Sequence, residues 1–109
     1  HNEAGIQLII EQLETIDYQE LHLILGVVND KDLNKVLPLF PKTAHYYFVK
    51  PDIPRGLDAK VLQEYAKQFE RYGKAYSSVK EGLEQAKLAA QKEDLIFIGG
   101  STFVVAEVV

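Results

Sequence analysis

A chain of 109 residues has the length of one domain with a single core, and its 47% hydrophobic and 26% charged content excludes a disordered polyelectrolyte. A formal charge of -4 and a pI near 5.3 argue against the clustered cations that hold a nucleic-acid backbone, and the lack of cysteine excludes disulfides and thiolate zinc sites. No apolar run approaches the roughly 20 residues of a membrane-spanning helix, so the expectation is a cytoplasmic chain with neither a nucleic-acid nor a membrane partner.

Ile6, Ile9, Ile10, Leu13 and Ile16 recur at helical spacing and predict a first helix from Glu3, with Asn2 placed to cap it. Residues 21–28 are almost continuously apolar, broken only by His22 and Gly26, as in a central strand covered on both faces. After the polar break Asn29-Asp30-Lys31-Asp32, the stripe Leu33, Val36, Leu37 and Phe40 predicts a short helix limited by Pro38 and Pro41.

Residues 44–49 are aromatic and β-prone and lead into a stiff loop over residues 50–56, which contains Pro51, Pro54 and Gly56. Asp58 is placed to cap a helix running to Tyr72 on the stripe Val61, Leu62, Tyr65, Ala66 and Phe69, and Gly73 suits its C-terminal cap. A short strand over residues 74–76 follows, then a helix from Ser77 or Ser78 to about Gln91 and a strand over residues 95–98. The tail is ambiguous: Thr102, Val104 and Val105 favour a strand, but the strand-then-turn pattern before it favours a helix over residues 102–109, which is the expectation adopted.

Alternating helical and extended segments predict the α/β class, with a mostly parallel sheet between helices on both faces. Ligands of such sheets sit beyond the C-terminal ends of the strands. Four polar breaks fall there: His1-Asn2, residues 29–32, Pro54-Arg55-Gly56 and Gly99-Gly100-Ser101. Each has two readings. Gly99-Gly100-Ser101 suits a tight turn whose Ser101 or Thr102 caps a helix, or an anion cradle of N–H groups and one hydroxyl. Asp30 and Asp32 are helix caps or, with Lys31, contacts to a substrate amine or a metal-bridged phosphate. Arg55 is an ordinary turn residue or a bidentate clamp for a carboxylate or phosphate. The histidines at positions 1, 22 and 45 have no ligand spacing, so no metal site is expected, and His22 and His45 read as packed or edge positions in strands.

Together and in this order, these segments resemble the C-terminal domain of the folylpolyglutamate synthase and dihydrofolate synthase family, a branch of the Mur ligase superfamily. His1-Asn2 matches the end of its Asp-x-Ala-His-Asn-Pro signature, Gly26 with Asp30-Lys31-Asp32 matches Gly-x-x-x-Asp-Lys-Asp, Pro54-Arg55-Gly56 matches its Pro-Arg-Gly loop, and Gly100-Ser101 matches its closing Gly-Ser. Glu3 stands where the family usually has proline.

The resemblance spans essentially the whole chain and implies a three-layer Rossmann-like domain, residues 1–109. It also implies that the domain's first strand and a P-loop domain lie upstream in a longer polypeptide, in keeping with a chain that opens on His1 without methionine.

It further implies ATP- and Mg2+-dependent addition of L-glutamate to a folate or to dihydropteroate, with no cofactor expected on this piece alone and no turnover by it. His1 is then a catalytic residue facing the nucleotide phosphates beside Asn2, and Ser101 holds the glutamate carboxylate. Asp30, Lys31, Asp32 and Arg55 line the cleft. The alternatives are a receiver-like regulatory domain, in which Gly99-Gly100-Ser101 would replace the expected lysine, and a plain interaction module.

Overall fold

The computed structural model of the chain describes residues 3–28, 33–100 and 104–108. Five strands form one sheet in the order β3-β2-β1-β4-β5: β1 is Leu21–Gly26, β2 His45–Val49, β3 Gly73–Tyr76, β4 Leu95–Gly100 and β5 Val104–Val108. The first four run parallel and β5 runs antiparallel to β4. The central strand is β1, all six residues of which are buried, which is why its sequence reads as one apolar run. It pairs with β2 from His22↔His45 to Leu25↔Phe48 and with β4 from Leu21↔Leu95 to Gly26↔Gly100.

Alternation along the strands divides the core in two. Leu21, Leu23, Leu25, Tyr46, Phe48, Leu95 and Phe97 point to one face, where helices α1 (Glu3–Glu14), α2 (Leu33–Val36) and α3 (Ala59–Gln68) cover them with Ile6, Leu13, Leu33 and Leu62. Ile24, Tyr47, Val49, Ile96 and Ile98 point to the other, where α4 (Val79–Ala89) packs Ala86 and Leu83 against them. Gly82 of α4 lies so close to Val49 that a Cβ there would collide with its side chain. The three-layer architecture anticipated from the alternation is therefore the one observed.

Local chemistry explains the boundaries. Asp58 caps α3 by accepting from the Lys60 N–H at 2.7 Å, and Ser78 caps α4 by accepting from Glu81 N–H at 3.1 Å. The helix before Pro38 is brief: α2 passes into a 3-10 turn over Leu37–Leu39, with the proline in its first turn.

Two sequence expectations are corrected. Helix α3 stops at Gln68, and Glu70 takes a positive φ of 63°, so Gly73 does not cap it. Gly73 instead opens β3, pressed against β2 so closely that a Cβ would meet the Tyr46 carbonyl. The tail is strand β5, not a helix. Its β-branched residues find an open parallel edge in β4, and pairing from Gly99↔Val104 to Leu95↔Val108 satisfies backbone groups that a helix would leave β4 to expose.

Arg71 is buried and has three carbonyls from two elements around it. Its Nε donates to Phe40 O at 3.1 Å and Nη2 to Pro38 O at 3.0 Å, and Nη1 donates to Phe69 O. One guanidinium thus ties the 3-10 turn to the end of α3. Beside it, burial pushes the Tyr46 phenol up to about 12, against the opposing pull of the Arg71 charge, and its hydroxyl donates to the Pro41 carbonyl.

Candidate functional site at the C-terminal rim of the sheet

Because β1 to β4 are parallel, their C-terminal ends open on one rim, with the loops and helix starts gathered around it. Of the residues singled out in the sequence, Arg55 is the one whose placement is described. His1, Asn2, Asp30, Lys31, Asp32 and Ser101 lie outside the described residues, as does the capping position Asn2 assigns to α1.

Arg55 sits in the loop from β2 to α3. Ile53 N–H donates to Pro51 O at 2.9 Å and Gly56 N–H to Ile53 O at 3.0 Å, which folds the loop on itself. Leu57 N–H then donates to Val27 O at 2.9 Å, and this bond fastens the loop to the chain leaving β1. Gly56 is required for the fold, since a Cβ there would collide with the Pro51 carbonyl. The Pro-Arg-Gly loop is thus held beside the segment that continues into residues 29–32. Among the described residues, the Arg55 guanidinium has no ion pair or hydrogen bond, so it is available to an anion.

The glycines of the rim have packing reasons. Gly26 faces Gly100 across β1 and β4, and Leu25 faces Gly99. A Cβ on Gly26 would crowd Val49 and Pro51 at 3.1 Å, and one on Gly99 would collide with the Phe97 ring. Gly99 and Gly100 belong to β4 and are followed by a second strand, so the expected helix N-terminus over the Gly-Gly-Ser segment is not there.

Further along the same rim, a hollow of about 310 Å³ opens between the ends of β2 and β3 and the start of α3. Lys50, Asp58, Ala59, Lys60, Ala75, Tyr76 and Ser77 line it. In the sequence this hollow is marked by no more than a lysine directly after β2 and another in the first turn of α3.

The opposite rim carries a sealed polar cluster. The Asp94 carboxylate accepts from Gln91 N–H at 2.9 Å and Glu20 N–H at 3.2 Å, and its Oδ2 lies 2.9 Å from His22 Nε2. The Gln91 N–H, followed by the His22 hydrogen bond, holds the Asp94 carboxyl below its ordinary range. His22 Nδ1 lies 2.8 Å from the Tyr47 hydroxyl, whose pKa burial raises. His45 stacks on His22 with ring centroids 4.8 Å apart. The Asp-His-Tyr grouping has hydrogen-bonded partners throughout, and its His22–Asp94 pair sits at the N-terminal ends of β1 and β4, roughly 13 Å from the ligand rim. Its geometry is that of a packed strand interior, in line with the reading of His22 and His45 as packed or edge positions. Among the described residues no group of three or more His, Asp or Glu side chains is arranged to hold a metal ion, and no helix is long and apolar enough to cross a membrane.

The model of the Mur ligase family's glutamate ligase domain matches residues 1–102. The chain belongs to this family. The matched span includes every candidate residue singled out in the sequence, and membership in the Mur ligase glutamate ligase family sets aside the receiver-like alternative.

Among curated relatives of this Mur ligase domain, a protein of Haloferax volcanii described as "Probable bifunctional folylpolyglutamate synthase/dihydropteroate synthase" is 32% identical over 98% of the chain and 13% of its own length. The "Dihydrofolate synthase/folylpolyglutamate synthase" of Buchnera aphidicola is 24% identical over 98% of the chain and 26% of its own. Among solved structures, E. coli FolC in complex with DHPP and ADP superposes with a TM-score of 0.77 at 22% identity, over 90% of the chain and 23% of FolC. A bifunctional folylpolyglutamate synthase/dihydrofolate synthase with Mn, AMPPNP and L-glutamate bound gives 0.76 at 22% identity, over 92% of the chain and 24% of that protein. These structures bear out the fold, and the chain spans about a quarter or less of each of these proteins.

Proposed function

We propose that this domain is the C-terminal, glutamate-ligase part of an ATP-dependent ligase that adds L-glutamate to a folate, to dihydropteroate, or to both. The observation that carries the reading is the Leu57–Val27 hydrogen bond, which fastens the Pro-Arg-Gly loop beside the chain entering the Asp-Lys-Asp segment. The names of the relatives and the ligands of the solved neighbours supply the chemistry.

In that chemistry, ATP phosphorylates the acceptor's carboxylate. The amine of glutamate attacks the acyl carbon, a C–N bond forms, phosphate leaves, and the amine loses a proton. The domain's task is to complete a closed cleft against an upstream P-loop domain of the same polypeptide, orienting the amine and excluding water from the acyl phosphate. His1 and Asn2 are assigned to the nucleotide phosphates, with His1 also facing the charge that develops during transfer. Ser101 is assigned to the glutamate carboxylate, Asp30, Lys31 and Asp32 to the cleft wall, and Arg55 to a carboxylate or phosphate at its rim. A magnesium ion, when bound, neutralises phosphate charge. Its ligands are assigned to the upstream domain, as the family resemblance implies. A chain without cysteine suits the cytoplasm in which such a ligase would work.

The test is ATP-dependent incorporation of labelled glutamate by the full-length polypeptide, offered a folate or dihydropteroate. Product with either acceptor supports the reading, and none with both overturns it. Ser101→Ala is expected to raise KM for glutamate more than KM for ATP. Unchanged glutamate kinetics in this variant would remove Ser101 from the pocket.

A further inference from the structure

The loop that carries Arg55 touches the end of β1 at two points, one on either side of the arginine. On the far side, Leu57 N–H reaches Val27 O at 2.9 Å. On the near side, the buried Pro51 ring lies against Gly26, the last residue of β1, with its Cγ 3.1 Å from the position a Cβ there would take. The same proline is crowded from the loop, since a Cβ on Gly56 would collide with its carbonyl. Pro51 is therefore a wedge between two glycines, one in the sheet and one in the loop. No contact assigned above uses Pro51 or Gly26.

What the wedge does depends on which neighbour yields to a side chain at position 26. A methyl group there meets Val49 Cγ2, the Val49 carbonyl and Pro51 Cγ, each at 3.1 Å, a spacing that forces a shift of a few tenths of an ångström. Val49 is fully buried, is paired with Tyr76 in the sheet and lies against Gly82 of α4, so close packing resists its movement. Pro51 stands beyond the end of β2, and a proline has no N–H with which to join a ladder. The loop yields before the sheet does. It yields as a unit, because Ile53 N–H donates to Pro51 O at 2.9 Å and Gly56 N–H to Ile53 O at 3.0 Å. Arg55 lies inside the second of these turns, so a displacement of Pro51 is passed on to it.

We propose that Pro51 is a positioning residue for Arg55: seated on the bare backbone of Gly26, it sets how far the guanidinium stands from the end of β1, and hence from an anion bound at the rim. The kinetic consequence rests on the function proposed above; the effect on the loop itself does not.

Two measurements on the full-length polypeptide decide it. In steady-state ligation, Arg55→Gln identifies the anion as whichever of ATP, glutamate and the acceptor has its KM raised. Gly26→Ala is expected to raise that same KM about fivefold, since a misplacement of roughly 1 Å costs on the order of a hundredfold, and to leave the other two unchanged. In an Arg55→Gln background it adds nothing further. Pro51→Ala removes the wedge without adding an atom to the core and raises the same KM, which serves where Gly26→Ala does not fold. Gly26→Ala/Pro51→Ala moves the lost volume to the other side of the contact and brings KM back toward the wild-type value. Effects spread over all three substrates, full additivity with Arg55→Gln, no effect of Arg55→Gln on any KM, or rescue of Gly26→Ala by Val49→Ala and not by Pro51→Ala overturns the positioning role and leaves the ligase reading intact.

Hydrogen exchange at the Leu57 amide reads the displacement without turnover. Faster exchange there in Gly26→Ala, with β1 amides unchanged and the wild-type rate recovered in Gly26→Ala/Pro51→Ala, supports the wedge even if no ligation is found. Unchanged exchange at Leu57, or an equal rise along all of β1, overturns it.

Discussion

Nε2 of His22 and Oδ2 of Asp94 lie 2.9 Å apart although 72 positions separate them in the chain, and both side chains are buried. The contact joins the start of β1 to the residue that precedes β4, and Gln91 and Glu20 N–H groups complete the carboxylate's shell. Asp94 therefore sits ionised in the folded state with its pKa below the usual 3.8. A carboxyl depressed in this way stabilises the fold above its unfolded pKa, and the contribution is lost as pH falls through the folded value. The Tm of Asp94→Asn should lie below that of the wild type at pH 7. The gap should close as pH falls well below 3.8. A gap independent of pH would mean that the carboxylate's charge is not what stabilises.

Leu62 of α3 is fully buried against the sheet, whereas Leu88 of α4 is 79% exposed. Leu62→Ala should cost about 2–5 kcal/mol in urea unfolding, and Leu88→Ala should stay within about 0.5 kcal/mol of the wild type. Similar losses at both would indicate that Leu88 is covered in solution.

Gly73→Ala presses a methyl group against the Tyr46 carbonyl, a backbone atom that cannot rotate away. The expected loss is roughly 1–3 kcal/mol with a loosened β2–β3 pair, the range for forced overpacking. Hydrogen exchange at β3 amides should rise first.

Arg71→Lys keeps the charge but replaces a fork that reaches Phe40, Phe69 and Pro38 with one ammonium. At least one buried carbonyl then goes unpaired, which costs about 1–3 kcal/mol. Equal stability of the two proteins would show that water replaces the guanidinium there.

The legible parts of the fold were those decided within a few residues. The all-buried run of β1, the Asp58 cap of α3 and the Ser78 cap of α4 act through neighbours in sequence, and each stands where the pattern places it. Gly73 and the tail were misread because distant partners decide them: the Tyr46 carbonyl across the sheet, and the vacant edge of β4. His22 and Asp94 gave no linear sign of their pairing for the same reason.

At the candidate site, the order of polar breaks located the rim and Arg55 upon it. The lysine hollow stayed hidden because Lys50 and Lys60 meet only when β2 and the start of α3 converge.

The reversal of the last strand has a topological consequence. With Leu95 opposite Val108, the chain at Val108 has returned to the rim that holds His22 and Asp94. Polypeptide continuing from there would leave on the far side of the sheet from the Pro-Arg-Gly loop. Anything joined to the chain at that point would grow away from the rim that carries Arg55 and leave that end of the sheet unobstructed.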